Sequence, residues 1–152
     1  NQLQDKKIVL FHPGYGGSSD GNLTLEDYLK LAKVVRNLPN VQAVWVFGPD
    51  DLNTKEQIIR LIPESDMIYH PPTLLDYCYL IRDSELLIST STGPMHLAGA
   101  LNIKTVSFFG SGLFASPKRW ATVSDVTNQN NLIIKDYQCN SVVAIIEGII
   151  NV

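Results

Sequence analysis

The segment at residues 89–96 carries hydroxyl groups, a glycine, a proline and a histidine, which together could bind a phosphate. Ser91 and Thr92 supply hydroxyl donors, Gly93 suits a helix N-cap, and the proline that follows suits the first helical turn. The unpaired N–H groups at a helix start carry partial positive charge, so a diphosphate can sit there. We therefore predict an anion site formed by Ser91, Thr92, Gly93, Met95 and His96.

His96 has two interpretations at this stage. It is either a phosphate contact or a core histidine that hydrogen-bonds a carbonyl group. The following helix is apolar on every side, which predicts that it is buried against a sheet and that the pKa of His96 is lowered, because desolvation and the helix dipole disfavour the imidazolium. Its position beside the helix start favours the phosphate contact.

The segment at residues 12–21 contains four glycines and follows an apolar run. Glycine lets the backbone turn its N–H groups inward and approach a ligand closely, so this segment could cradle a phosphate or a sugar. The candidates are Gly14, Gly16, Gly17 and Ser18. The spacing matches neither a Walker loop nor the G-x-G-x-x-G fingerprint. A long flexible turn is the alternative.

Two acids and the remaining histidines complete the candidates. Asp50 and Asp51 follow the second apolar run and could hydrogen-bond a ribose, although a solvated turn explains them equally well. His12, His70 and His96 are scattered and have no carboxylate at a ligand spacing, so we predict neither a metal site nor a cofactor.

An alternation of apolar runs and amphipathic segments must position these residues. The pattern predicts strands at 8–11, 41–47, 66–69, 85–89, 104–109 and 132–134, and helices that begin after Thr24 and cover 55–62, 73–82, 93–101 and the end of the chain. Val142, Val143, Ile146 and Ile149 of the last helix should face the sheet. Continuously apolar strands that alternate with helices predict a doubly wound α/β fold with a parallel sheet.

Composition bounds the class of protein. A chain of 152 residues predicts a single domain over residues 1–152. The net charge of −3 and the lack of a basic cluster argue against a nucleic-acid partner. No apolar run approaches the ~20 residues of a transmembrane segment. Cys78 and Cys139 form no disulfide framework, so a cytoplasmic location is expected.

Residues 91–101 read Ser-Thr-Gly-Pro-Met-His-Leu-Ala-Gly-Ala-Leu and are followed by Lys-Thr-Val at 104–106 and Phe-Phe-Gly at 108–110. This pattern resembles the signature of glycosyltransferase family 9, the lipopolysaccharide heptosyltransferases. The likeness extends over nearly the whole chain. It implies the Rossmann-like, C-terminal, donor-binding half of a GT-B enzyme, with Thr92, Gly93 and His96 as the diphosphate-binding set.

The resemblance also implies a reaction and a partner. The parent enzyme would be an inverting glycosyltransferase that moves a sugar from a nucleotide-diphosphate sugar such as ADP-heptose to lipopolysaccharide or another surface glycan. The acceptor domain and the catalytic carboxylate would lie in an N-terminal domain outside this chain, which could bring the enzyme to the inner face of the membrane. The isolated fragment would be inactive.

Two positions depart from the pattern of that family. Ser91 stands where the family usually has aspartate, and Gly21 stands where it often has lysine. These changes leave the diphosphate contacts in place and alter the groups that face the sugar. They slightly favour a second hypothesis, a non-catalytic nucleotide or sugar-phosphate binding module with a Rossmann-like fold.

Overall fold

The computed structural model describes residues 5–14 and 21–151. Strands and helices alternate through this part of the chain. The strands are β1 (Lys7–His12), β2 (Val41–Val46), β3 (Met67–Tyr69), β4 (Leu86–Thr90), β5 (Thr105–Phe109) and β6 (Gln129–Ile133). The helices are α1 (Leu25–Asn37), α2 (Leu52–Ile59), α3 (Leu74–Arg82), α4 (Gly93–Ala100), α5 (Pro117–Trp120) and α6 (Cys139–Ile150).

The six strands form one all-parallel sheet in the order β3-β2-β1-β4-β5-β6. β1 lies at the centre, where Val9 pairs with Ala43 of β2 on one side and with Leu86 of β4 on the other. The strand order reverses between β1 and β4, so the loops after these two strands leave toward opposite faces of the sheet. This topological switch point opens a crevice at the carboxyl ends of the strands. The predicted doubly wound fold is confirmed.

Helices cover both faces of the sheet, and each face has its own buried cluster. On one face α1, α2 and α6 pack over aromatic residues, with Phe11 stacked on Trp45 at a centroid distance of 4.9 Å. On the other face α3 and α4 pack over Leu10 and Leu87. In α6, Val142, Ile146 and Ile150 are buried, while Val143 and Ile149 pack against this core at its edge.

Most predicted elements are present, but the predicted boundaries of two elements, α2 and β6, are wrong. α1 begins as predicted, because Thr24 Oγ1 accepts a hydrogen bond of 3.2 Å from the Asp27 N–H. α2 begins at Leu52 instead of residue 55 and ends at Ile59 instead of residue 62. β6 begins at Gln129 instead of residue 132. Its first residues are polar and carry no apolar pattern, yet they pair in register with β5.

Candidate functional site

The helix start that the sequence predicted as an anion site lies at the crevice. Thr92 is the N-cap of α4, Gly93 is its first residue, and Pro94 lies in its first turn. The sequence predicted Gly93 as the N-cap, but the N-cap is Thr92. Thr92 Oγ1 lies 3.4 Å from Thr90 O and caps no N–H of the helix. Met95 N–H donates to Thr92 O over 3.1 Å.

Gly93 leaves open space in front of this helix start. Among the described residues no group accepts a hydrogen bond from its N–H, and a Cβ added to Gly93 would meet no atom within 4 Å. An anion can therefore approach the backbone here without moving the chain. The Met95 side chain, by contrast, is fully buried in the core, so its predicted role in the site does not extend to its side chain.

The first cavity, of about 420 Å³, lies on one side of the α4 start. It sits between the ends of β1 and β2 and the first turns of α3 and α4. Its lining residues are His12, Gly48, Pro49, Asp50, Asp51, Leu74, Tyr77, Thr92, Gly93, Pro94 and Leu97. Both acids proposed as nucleoside contacts therefore line it. His12, Tyr77 and the two leucines were not predicted, because they come from separate elements that only the fold brings together.

Asp51 organises the wall of this cavity. Its Oδ2 accepts a hydrogen bond of 2.8 Å from the Gly48 N–H, so the side chain closes the turn after β2. A Cβ added to Gly14 would lie 2.1 Å from Asp51 Oδ1, which shows how closely the carboxylate packs on that glycine. Asp50 is exposed at the mouth. Asp51 thus closes a turn and lines the cavity, and its role as a nucleoside contact stays a prediction.

His12 is buried behind Asp51. Its Nδ1 donates to the Val46 carbonyl over 3.1 Å, and its Nε2 lies 3.7 Å from Asp51 Oδ2. Burial lowers the pKa of His12, and this effect outweighs the opposing influence of the carboxylate and the carbonyl. The neighbouring Tyr77 hydroxyl is buried without a hydrogen-bond partner among the described residues. A polar group of a ligand could satisfy it.

The second cavity, of about 430 Å³, lies on the other side of the α4 start. Its lining residues are Ser91, Thr92, Gly93, His96, Phe114, Ala115, Arg119 and Trp120. Thr92 and Gly93 line both cavities, so the helix start forms the ridge between them. The chain from the end of β5 to α5 supplies the aromatic residues and the arginine, and sequence analysis did not single them out.

His96 is exposed and lines this second cavity. Its ring meets that of Trp120 edge to face at a centroid distance of 6.3 Å. The core-histidine interpretation is therefore wrong, because the burial on which it rested is absent. The reason is that α4 is covered on one side only: Met95, Ala98 and Gly99 are buried, while His96 faces outward.

The glycine-rich segment reaches the site through its ends. Thr90 Oγ1 lies 3.1 Å from Gly14 O and 3.2 Å from Asn22 Oδ1, either of which can accept its proton. Gly21 packs on the end of β5, where an added Cβ would lie 2.0 Å from the Gly110 nitrogen. Gly16, Gly17 and Ser18 lie outside the described residues, and their proposed role stays a prediction.

Other candidate chemistry is not assembled in the described ranges. Residues 5–14 and 21–151 contain no group of three or more His, Cys, Asp and Glu side chains that could hold a metal ion. His70 is exposed, and its Nδ1 donates to the Phe47 carbonyl over 3.0 Å. Across the same two ranges, every helix is too short or too polar to cross a bilayer.

The parallel sheet and the crevice at its switch point define a doubly wound, Rossmann-like α/β domain. Such domains bind ligands at the carboxyl ends of their strands. The chain belongs to glycosyltransferase family 9 (heptosyltransferase), whose family model matches residues 1–149. The family resemblance of the α4 segment is thereby confirmed.

Individual relatives agree with this assignment. The chain is 28% identical over 141 residues to the lipooligosaccharide heptosyltransferase 2 of Campylobacter jejuni, a match that covers 88% of this chain and 42% of that protein. In fold it is similar to Escherichia coli ADP-heptose lps heptosyltransferase II, with a TM-score of 0.79, 18% identity, and coverage of 97% of this chain and 47% of that one.

The fold is also similar to that of E. coli heptosyltransferase WaaC solved with ADP, with a TM-score of 0.78 and 14% identity. This match covers 95% of the present chain and 45% of the other. The chain therefore spans less than half the length of these relatives.

Proposed function

We propose that this chain is the donor-binding domain of an inverting, heptosyltransferase-like glycosyltransferase. The donor would be a nucleotide-diphosphate sugar of the ADP-heptose type, and the acceptor lipopolysaccharide or another surface glycan. The observation that carries the proposal is the uncapped start of α4, where the Gly93 N–H has no acceptor among the described residues and a Cβ on Gly93 would meet open space, with a cavity on either side. The E. coli relative solved with ADP supports a nucleoside diphosphate as the ligand class.

The described residues suggest how the donor would be held. The first cavity would take the nucleoside, whose hydroxyl groups could donate to Asp50 and Asp51. The diphosphate would lie over Gly93 and accept hydrogen bonds from the backbone and from the Ser91 and Thr92 hydroxyls. These donors would stabilise the negative charge that develops on the leaving diphosphate when the sugar departs.

The proposal assigns the remaining functions to a partner domain. Residues 1–152 would form a single domain, and an N-terminal domain of the same parent protein would bind the acceptor and supply the catalytic carboxylate. We further propose a cytoplasmic location, which the two unpaired thiols of Cys78 and Cys139 favour, with the partner domain as the contact to the inner membrane face.

Calorimetric titration of the chain with ADP, UDP and GDP tests the proposal. At least one should bind with a Kd at or below about 1 mM, which corresponds to roughly 4 kcal/mol. The chain alone should transfer no sugar from a nucleotide sugar. Absence of heat with all three nucleotides would overturn the proposed donor site.

A non-catalytic nucleotide or sugar-phosphate binding module remains the second candidate function, and one observation favours it. The Gly110 nitrogen and the end of β5 fill the space where a side chain at Gly21 would stand, so this chain cannot place there the lysine that its family often has. Transfer measured with the complete parent protein separates the candidates. Nucleotide binding without transfer would support the binding module.

A further inference from the structure

Opposite charges stand on the two sides of the α4 start. The first cavity is lined by two carboxylates, Asp50 and Asp51. The second cavity is lined by the guanidinium of Arg119. Among the described residues that line either cavity, Arg119 is the sole lysine or arginine. An anion at Gly93 is therefore repelled from one side and attracted toward the other.

Arg119 is held in place by aromatic rings. Its guanidinium carbon lies 5.1 Å from the ring centroid of Phe114 and 5.1 Å from that of Trp120. Trp120 Nε1 donates to the Phe114 main-chain carbonyl over 2.7 Å, which fixes the Trp120 ring to the backbone of Phe114. Such a stack restricts the arginine side chain before a ligand binds, so binding costs less conformational entropy.

Within residues 5–14 and 21–151, no ion pair neutralises the charge of Arg119. In the part of the chain that the structure describes, no carboxylate lies within ion-pair distance of it. The rings that hold it are themselves exposed, Phe114 to 76% and Trp120 to 43%. A stacked guanidinium that lies beside a helix start and has no carboxylate partner among the described residues is chemically suited to bind a phosphate.

We propose that Arg119 binds the β-phosphate of a nucleoside diphosphate that crosses the α4 start. The nucleoside occupies the first cavity, the α-phosphate lies at Gly93, and the β-phosphate enters the second cavity. The inference rests on the proposed function and deepens it, because it gives the ligand a direction. Ribose hydroxyls meet the acids, and both phosphates avoid them.

This direction places Arg119 at the leaving group of the proposed transfer. When the bond between the anomeric carbon and the β-phosphate oxygen breaks, its electron pair stays on that oxygen. The acceptor hydroxyl forms the new bond to carbon and gives its proton to a base of the partner domain. The added negative charge thus arises on the phosphate that Arg119 faces, and Arg119 would stabilise it.

The test compares Arg119→Gln with Lys118→Gln in the full chain. Both changes remove one positive charge from α5, but Lys118 lines neither cavity. For whichever of ADP, UDP or GDP binds the parent chain most tightly, Arg119→Gln should raise Kd by about 10- to 100-fold, as expected for a charge-assisted hydrogen bond. The corresponding monophosphate should change by less than about twofold, and Arg119→Lys should recover part of the loss.

Each outcome has one meaning. If a nucleoside diphosphate binds the parent chain with the same Kd in Arg119→Gln, Arg119 does not bind phosphate and only this inference is overturned. Equal losses for the monophosphate and the diphosphate would overturn the direction of the ligand. An equal loss in Lys118→Gln would reduce the effect to surface charge and overturn the inference. If the parent chain binds none of the three diphosphates, the proposed function falls, and this inference falls with it.

Discussion

Gly93→Val should abolish nucleoside diphosphate binding while the domain stays folded. No atom lies within 4 Å of a Cβ at this position, so the substitution should change the free energy of unfolding by no more than about 0.5 kcal/mol. The added methyl groups would fill the space through which a phosphate reaches the Gly93 N–H. A valine at position 93 should therefore leave the fold intact and block the phosphate.

The magnitude follows from the interactions that the valine blocks. A hydrogen bond to a charged group contributes about 1.5–3 kcal/mol, and an anion at a helix N-terminus gains about 0.3–1 kcal/mol more. The combined loss of about 2–4 kcal/mol corresponds to a roughly 30- to 700-fold rise in Kd. Binding in the millimolar range would thus fall below detection.

Calorimetry with ADP, UDP and GDP measures the loss, and chemical denaturation verifies the fold. Gly148→Val is the matched control, because Gly148 is exposed on α6 and an added Cβ there also meets nothing within 4 Å. It should bind like the parent chain. If folded Gly93→Val keeps the Kd of the parent chain within about twofold, the ligand does not approach the α4 start and the reasoning is wrong.

Three other perturbations have expected outcomes. Gly99→Ala should lower the free energy of unfolding by about 1–3 kcal/mol in chemical denaturation, because the new Cβ would lie 2.3 Å from Thr122 Cβ. Burial lowers the pKa of His12, so below about pH 6.5 the unfolded chain binds a proton that the folded chain does not. The free energy of unfolding should therefore decrease as the pH is lowered. His12→Gln should flatten this dependence in unfolding free energies measured from about pH 7.5 to 5. Thr24→Ala removes the cap of α1 and should cost about 1 kcal/mol, seen as a lower Tm.

Each of these has its own control. Gly148→Ala should be as stable as the parent chain or more stable, and equal effects at Gly99 and Gly148 would argue against a tight contact of α4 with Thr122. His70→Gln replaces an exposed histidine and should leave the pH dependence unchanged. Thr24→Ser keeps an oxygen that can accept from the helix and should restore the Tm lost in the alanine variant.

Local chemistry explains what the sequence could predict. The first five strands, the cap at Thr24 and the helix start at Gly93 depend on neighbouring residues, and each lies in the structure within a residue or two of its predicted place. The start of α2 was predicted three residues too late because no side-chain cap marks it. Asp51 is the N-cap residue, but its carboxylate accepts a hydrogen bond from the Gly48 N–H and caps no N–H of the helix.

The unpredicted part of the site is non-local. Nothing in the spacing of residues 91–96 connects them with Phe114, Arg119 and Trp120, which meet them because the chain after β5 folds back over α4. Likewise, His12 and Tyr77 are far apart in sequence, and their ring centroids are 6.4 Å apart. The sequence of α4 is apolar on every side, which predicted a helix buried all round. In the structure only one face of α4 is buried, because apolar residues can also remain in contact with water.

The central position of β1 affects the order in which the sheet can assemble. Val9 of β1 pairs with Leu86 of β4, 77 residues further along the chain. At a synthesis rate of about 5–20 residues per second, that edge of β1 waits about 4–15 s for its partner. Until then the N–H and C=O groups on that side of β1 have no strand partner and can pair with another chain. The same strand that organises the finished crevice is thus the point where a growing or truncated chain is most exposed to misassembly.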